Sequence, residues 1–424
     1  MIVATEPSEL SQARICMRPL SSFEELLWLM DKRSPLHATL IAHIDGVTTV
    51  NSWKRALEQA RQRHALWSSV IAVDENGSPS FRTMQNPRVA FRVVKAEFAE
   101  LWKEEVAREL SFPIDAENGP LVRAVLLHTE ASCMLILSAH HSICDGMSLA
   151  FAIRDILKAV SGSKLEKLSL YPSQEDALGL PTHPGKGIIR SQHRPEQSPG
   201  PTVYRSNVSV MPKVDARAFT CGFTDTLRRR ARKEGTTVHA ALVAAAGIAA
   251  RLDARYGSNR DLHLCSTINN RALLGSPEDC GVFFSACDFE LADGPTHELW
   301  ILARKAKLTI AAGQSVKGVK ALLGAVDAIV RADLDVYSGG EQGGRLFLFD
   351  IHVSNLGAAP VQTSYGSLSL RQLWGPGVLV GFNGEQALGA STVNGHLCLL
   401  HTSHNPLPGF LEQIESILSS GCDL

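Results

Sequence analysis

Apolar positions along this chain recur with a helical period in some segments and a strand period in others, which predicts a mixed α and β protein. Ser22-Phe-Glu-Glu25 has the form of a capping box, in which a Ser hydroxyl and a Glu carboxylate satisfy each other's backbone N–H groups, and it opens an apolar helix through Met30. A strand is expected over 36–44. Asn51 then caps a helix that puts Trp53, Leu57, Ala60 and His64 on one face, and 67–73 reads as a strand closed by the Asn76-Gly77 turn. The apolar runs 121–128 and 133–139, joined by the turn 129–132, form a hairpin, and a helix over 148–160 follows.

The second half repeats the mixture without a sequence repeat. Thr224 caps a basic helix containing Arg228, Arg229, Arg230, Arg232 and Lys233, and Thr237 starts an Ala-rich helix to Leu252. Strands are expected over 262–268, 346–353, 368–373, 387–393 and 396–402, with helices over 296–312 and 406–419. Gly339-Gly340 and Gly343-Gly344 mark a flexible loop. Between the halves, 161–203 holds Pro172, Pro181, Pro184, Pro195, Pro199 and Pro201 among Gly, Ser and Gln, and no period persists there. The expected organisation is an α/β (α+β) chain with one unit over 1–160, a crossover linker over 161–203 and a second unit over 204–424. A chain of 424 residues is long enough for two cores.

Charge narrows the partners. With 42 Lys+Arg against 43 Asp+Glu, the chain lacks the basic excess that phosphate contacts require, so neither nucleic acid nor an anionic membrane surface is an expected partner. The longest apolar run, 240–250, is too short to span a bilayer. The nine cysteines are scattered without C-x-x-C spacing, which argues against a disulfide framework or a zinc site. MIVATEPSEL does not read as a signal peptide, and a cytoplasmic setting is expected.

Chemistry concentrates in Ser138-Ala-His-His-Ser-Ile-Cys-Asp-Gly146, at the end of an apolar strand and the start of a helix. Neighbouring strand residues point to opposite faces, so His140 and His141 cannot share one core layer, and one of them lines a cavity. Asp145 suits a helix cap and Gly146 a sharp turn. Cys144 has two readings, an acylated nucleophile or a small buried hydrophobe. No G-x-S-x-G elbow, dinucleotide fingerprint or phosphate loop occurs. His352, His401 and His404 show no metal-ligand spacing and take core or surface roles. The basic helix reads as a solvated face, or as a docking patch for an acidic carrier or the phosphates of coenzyme A.

The run His140-His-Ser-Ile-Cys-Asp-Gly146 resembles the HHxxxDG signature of the condensation-domain and chloramphenicol-acetyltransferase-like superfamily, nearest to its stand-alone polyketide-associated and alcohol acyltransferases. Phe112-Pro-Ile-Asp115 with Gly119-Pro-Leu-Val-Arg123, Glu234-Gly-Thr-Thr-Val-His-Ala-Ala241, Ile268-Asn-Asn-Arg271 with Gly281, and Val353-Ser-Asn-Leu-Gly357 resemble further segments of that group. The DFGWG element of the plant branch is absent, and Leu373-Trp-Gly-Pro-Gly377 is at most a loose counterpart.

The resemblance implies two acetyltransferase-like subdomains arranged as a V around a central tunnel, with His141 as general base. It makes His140 part of the motif's framework and Asp145 a structural residue pairing with Arg271, and it has Gly146 leave room for a pantetheine arm. Ser354 and Asn355 become candidate oxyanion donors. The implied reaction is acyl transfer from a coenzyme A or acyl-carrier-protein thioester to a small-molecule alcohol, in secondary metabolism or lipid assembly, by a monomer with no metal and no tightly bound cofactor. Amide formation on an amine, or a binding or cyclase role without acyl transfer, remain the alternatives.

Overall fold

The computed structural model describes residues 15–95, 101–181, 202–205, 210–257, 260–293, 298–332 and 334–423. The expected hairpin lies inside the first six-stranded sheet. Val122–His128 runs antiparallel to Ser132–His140, which in turn pairs with His37–Asp45 so that His37 faces His140 across the ladder. Ser132–His140 is buried on both faces, which explains its unbroken apolar run where a half-exposed strand would alternate. The sheet order is Ser364–Tyr365, Leu368–Gly377, His37–Asp45, Ser132–His140, Val122–His128, Ala90–Lys95.

A second six-stranded sheet runs Phe284–Leu291, Leu262–Asn269, Ile351–Ala358, Gln386–Val393, His396–Ser403, Lys213–Ala218. Ile351–Ala358 lies inside it, parallel to both neighbours. With the helices packed on both sheets the chain is of mixed α/β class. Among the described residues no helix is long and apolar enough to cross a membrane, and no cluster of His, Cys, Asp and Glu could hold a metal ion.

The first sheet crosses the division drawn at 203. Leu368–Gly377, from the second half, pairs with His37–Asp45 of the first, with Trp374 beside Ile41. The core around the first sheet accordingly includes Val326, Phe349, Leu373 and Phe382 together with Phe23, Leu40 and Trp53. The described part of the expected linker is also tied across. Asn270 Nδ2 donates to Gln174 Oε1 and Gln174 Nε2 to Phe284 O, both at 3.1 Å. Pro184, Pro195, Pro199, Pro201 and the segment MIVATEPSEL lie outside the described residues.

Several caps differ from expectation because the expected residue has another partner. The first capping box uses Ser21 and Glu24, while the Ser22 hydroxyl donates to Asp327 Oδ1 at 2.7 Å. Thr49, not Asn51, caps Val50–Arg63. Thr220 caps the basic helix Cys221–Lys233, and Thr224 instead accepts from Leu397 N at 3.1 Å. Thr237 caps Val238–Arg251 as expected. Residues 67–68 complete a 3-10 turn, Ala65–Ser68, before the strand Ser69–Val73.

The glycine-rich segment read as a loop is the helix Val336–Leu346, and the following strand starts only at Ile351. Its glycines let it approach Ser22–Asp31. A Cβ on Gly340 would lie 2.4 Å from Leu29 O, and one on Gly343 2.8 Å from Leu26 Cδ1. Ala normally stabilises a helix interior over Gly by about 1 kcal/mol, but here that gain is outweighed by a clash costing about 1–3 kcal/mol. Gly340→Ala is therefore expected to lower the urea midpoint. Gly324→Ala should raise it, since Gly324 in Val316–Arg331 has open space where its Cβ would sit.

Candidate active site

The motif is a strand end, one tight turn and a helix start. Ser132–His140 ends at His140, the 3-10 turn His141–Ile143 follows, and Asp145 caps Gly146–Val160. The backbone N–H of His141 donates to Leu36 O at 3.1 Å, which fixes the turn against the neighbouring strand's entry. His140 turns away from the cavities. Its Nδ1 accepts from Ser142 N at 3.2 Å and its Nε2 lies 3.4 Å from Asp31 Oδ2. Burial pushes the Asp31 carboxyl up, but the imidazoles of His140 and His37 and the Leu36 N–H outweigh it and hold the group below its ordinary value.

His141 is 8% exposed, stacked on Phe284 with ring centroids 5.2 Å apart. Its Nδ1 lies 2.8 Å from Cys144 O. A carbonyl only accepts, so Nδ1 carries the proton and Nε2 keeps its lone pair. Burial is the main cause holding the imidazole's pKa below its ordinary value. Asp145 and the Cys144 carbonyl oppose that effect, and His140 adds to it. His141 is therefore neutral at neutral pH, with a base nitrogen available.

Asp145 is fully engaged elsewhere. Its Oδ1 accepts from Ser148 N at 2.7 Å, and its Oδ2 accepts from Arg271 Nη1 at 2.9 Å and Phe283 N at 3.0 Å. Burial pushes the Asp145 carboxyl up, yet Arg271 and the two N–H donors hold it below its ordinary value. Arg271 also donates to Ser148 Oγ at 2.7 Å and to Pro277 O at 3.1 Å. One buried ion pair thus ties the motif's helix start to the 271–283 segment of the second half.

A Cβ on Gly146 would come within 2.4 Å of Pro376 Cγ, so the glycine lets the strand Leu368–Gly377 pack closely against the helix start where both residues line a cavity. Cys144 packs in the core, donating to Asp145 O at 3.3 Å, and burial pushes its thiol well above the ordinary range. A thiol in that state is a poor nucleophile.

Two cavities meet at His141. The first, about 490 Å³, is lined by Gly146, Asn269, Ser354, Asn355, Leu356 and Pro376, and the second, about 440 Å³, by Phe23, Leu27, Phe347, Phe349 and Val380. His141, Thr267, Phe284, His352 and Val378 border both. Asn355 accepts from Gly357 N at 2.7 Å through Oδ1 and borders the first cavity. Thr267, Phe284 and His352 were not singled out for the site by sequence reading. The signal was present for His352, two positions before Ser354 on the same strand face.

The other histidines behave as framework. His401 Nε2 contacts Gln386 Oε1 at 2.9 Å in the core, and His404 Nδ1 donates to Val210 O at 2.8 Å. On the basic helix, Arg228 and Arg229 pair with Asp225 at 2.6 and 2.9 Å, and Arg230 pairs with Asp423 at 2.6 Å. Part of its charge is therefore met within the chain.

Residues 26–175 match the family model for the condensation domain. A linear gramicidin synthase polypeptide of Brevibacillus parabrevis is 24% identical over 313 residues, covering 66% of this chain and 4% of that protein. The chain thus spans a small fraction of that relative's length. Among solved structures, polyketide synthase associated protein 5 from Mycobacterium tuberculosis matches with a TM-score of 0.65 at 16% identity, covering 97% of this chain and 98% of that one. The trichothecene 15-O-acetyltransferase TRI3 from Fusarium sporotrichioides matches with a TM-score of 0.66 at 11% identity, covering 98% and 97%. Residues 26–175 thus carry the condensation-domain sequence pattern, in line with the resemblance, and the chain as a whole shares the fold of these solved structures.

Proposed function

We propose that the protein transfers an acyl group from a coenzyme A or carrier-protein thioester to the hydroxyl of a small-molecule acceptor, forming an ester. The observation that carries this reading is the placement of His141. Its tautomer is set by the Cys144 carbonyl, and the residue borders two cavities at once. Two substrates brought to one neutral imidazole need no covalent intermediate.

In this mechanism His141 Nε2 takes the proton of the acceptor hydroxyl as its oxygen attacks the thioester carbonyl. The tetrahedral intermediate collapses with C–S cleavage, and the imidazolium returns the proton to the departing thiolate. Ser354 and Asn355 are the proposed donors to the oxyanion, and Asp145 holds the loop without relaying charge. The aromatic second cavity suits the acyl chain. In this reading the enzyme works as a cytoplasmic monomer without a tightly bound cofactor. The name of the trichothecene acetyltransferase supports an ester product, while the condensation-domain match favours a second reading, amide formation on an amine.

The test is thiol release from acyl thioesters of graded length, with candidate alcohols and amines as acceptors. A pH profile adds a sharper check. The base must be unprotonated, so kcat/KM falls as pH drops through the pKa of His141. Burial and His140 lower that value while Asp145 raises it, with a net lowering from 6.5, so the acid limb is expected below pH 6.5. An acid limb above that value would contradict the assignment.

A further inference from the structure

His352 stands at the reaction centre without a role in the mechanism above. It is 6% exposed and belongs to Ile351–Ala358, where its backbone is flanked by Cys265 on one side and Ala387 on the other. Its position is therefore fixed by the sheet interior and not by a loop. Its ring packs against Phe349 at 5.4 Å between centroids, yet no side chain or backbone group of the described residues hydrogen-bonds to it. Neither ring nitrogen is a fully buried atom left without a partner, so the ring is open to water or a ligand from the cavities it borders. It borders the two cavities that His141 also borders, whereas Ser354 and Asn355 border the first alone.

We propose that His352 is a second catalytic imidazole, whose ring N–H donates to the thioester carbonyl oxygen as negative charge develops there, opposite the proton transfer at His141. The inference rests on the acyl-transfer reading and adds the group that holds the reacting carbonyl where the cavities meet. No proton changes hands at His352. The hydrogen bond strengthens as the carbonyl becomes an oxyanion and weakens again when the C–S bond breaks and the carbonyl re-forms. Burial, with the imidazoles of His141 and His239 nearby, pushes His352 down to about 4, so it stays neutral at neutral pH. A neutral imidazole can polarise a carbonyl as a donor without competing with the base for a proton.

The experiment compares wild type, His141→Ala, His352→Ala and His352→Gln on acyl coenzyme A thioesters from acetyl to decanoyl, reading kcat and KM for thiol release and the thermal midpoint of each variant. His352→Ala is expected to lower kcat by about 100-fold with little change in KM, as for loss of one oxyanion donor. His352→Gln, which keeps an N–H donor, is expected to recover about tenfold of that loss. The proposal is overturned if His352→Ala keeps wild-type kcat, if the effect falls on KM alone, or if His352→Gln is no better than His352→Ala. Failure of His352→Ala to change kcat while His141→Ala is inactive removes His352 only. Absence of turnover by wild type on every thioester removes the acyl-transfer reading and this inference with it.

Discussion

Replacing His141 with alanine is expected to cut thiol release by about 10²- to 10⁴-fold, the usual contribution of a positioned general base. The loss should fall on kcat, because the imidazole acts on the proton in flight. The fold should survive, since the Cys144 carbonyl that His141 engages loses one hydrogen bond, a cost of about 1–3 kcal/mol for a buried acceptor. Cys144→Ala is the informative companion. The Cys144 thiol lies in the core, held protonated by burial, so its removal should leave turnover largely intact, whereas a covalent acyl-cysteine route predicts complete loss. Steady-state thiol release with circular dichroism of each variant settles both points.

The second large effect concerns stability. Arg271→Met should destabilise the protein by about 3–5 kcal/mol in urea unfolding, because it leaves Asp145 as an uncompensated buried charge. The same substitution removes the donors to Ser148 Oγ and Pro277 O. Asp145→Asn combined with Arg271→Met should be less damaging than the sum of the two, since the neutral amide no longer needs the guanidinium. The pH dependence has a definite sign. Asp145 is held below its ordinary value of 3.8 in the folded protein, so its contribution is complete above that pH and is lost as pH falls through the lower folded value. Loss of under about 1 kcal/mol in Arg271→Met would show that the pair does not tie the halves together.

Local chemistry was the legible part of the chain. The hairpin, the Asp145 cap, the Thr237 cap and the helix after the motif follow from side-chain hydrogen bonding and periodicity within a few residues. The Asp145–Arg271 contact came from the resemblance alone, since the two residues are far apart in sequence. What sequence reading missed depends on partners from distant segments. Ser22 left its capping role for Asp327, and Thr224 left its own for Leu397. The four glycines of Val336–Leu346 look like a loop until Leu26 and Leu29 of another helix are placed against them. Pro376 fills the gap at Gly146 because its strand joins the first sheet from the second half, a crossing that periodicity does not encode. His352 sits within an ordinary strand pattern, and only the two cavities distinguish it from a core histidine.

The measurement that bears most directly on the account is a product balance. Wild-type protein and His141→Ala are incubated with the acyl thioester turned over fastest and with a set of alcohols and amines, and thiol and acyl products are quantified together by mass spectrometry. The expected result is one acyl ester formed per thiol released by wild type, with both products lowered by at least about 100-fold in His141→Ala. Thiol release matched only by free acid, or equal ester formation by the two proteins, would contradict it.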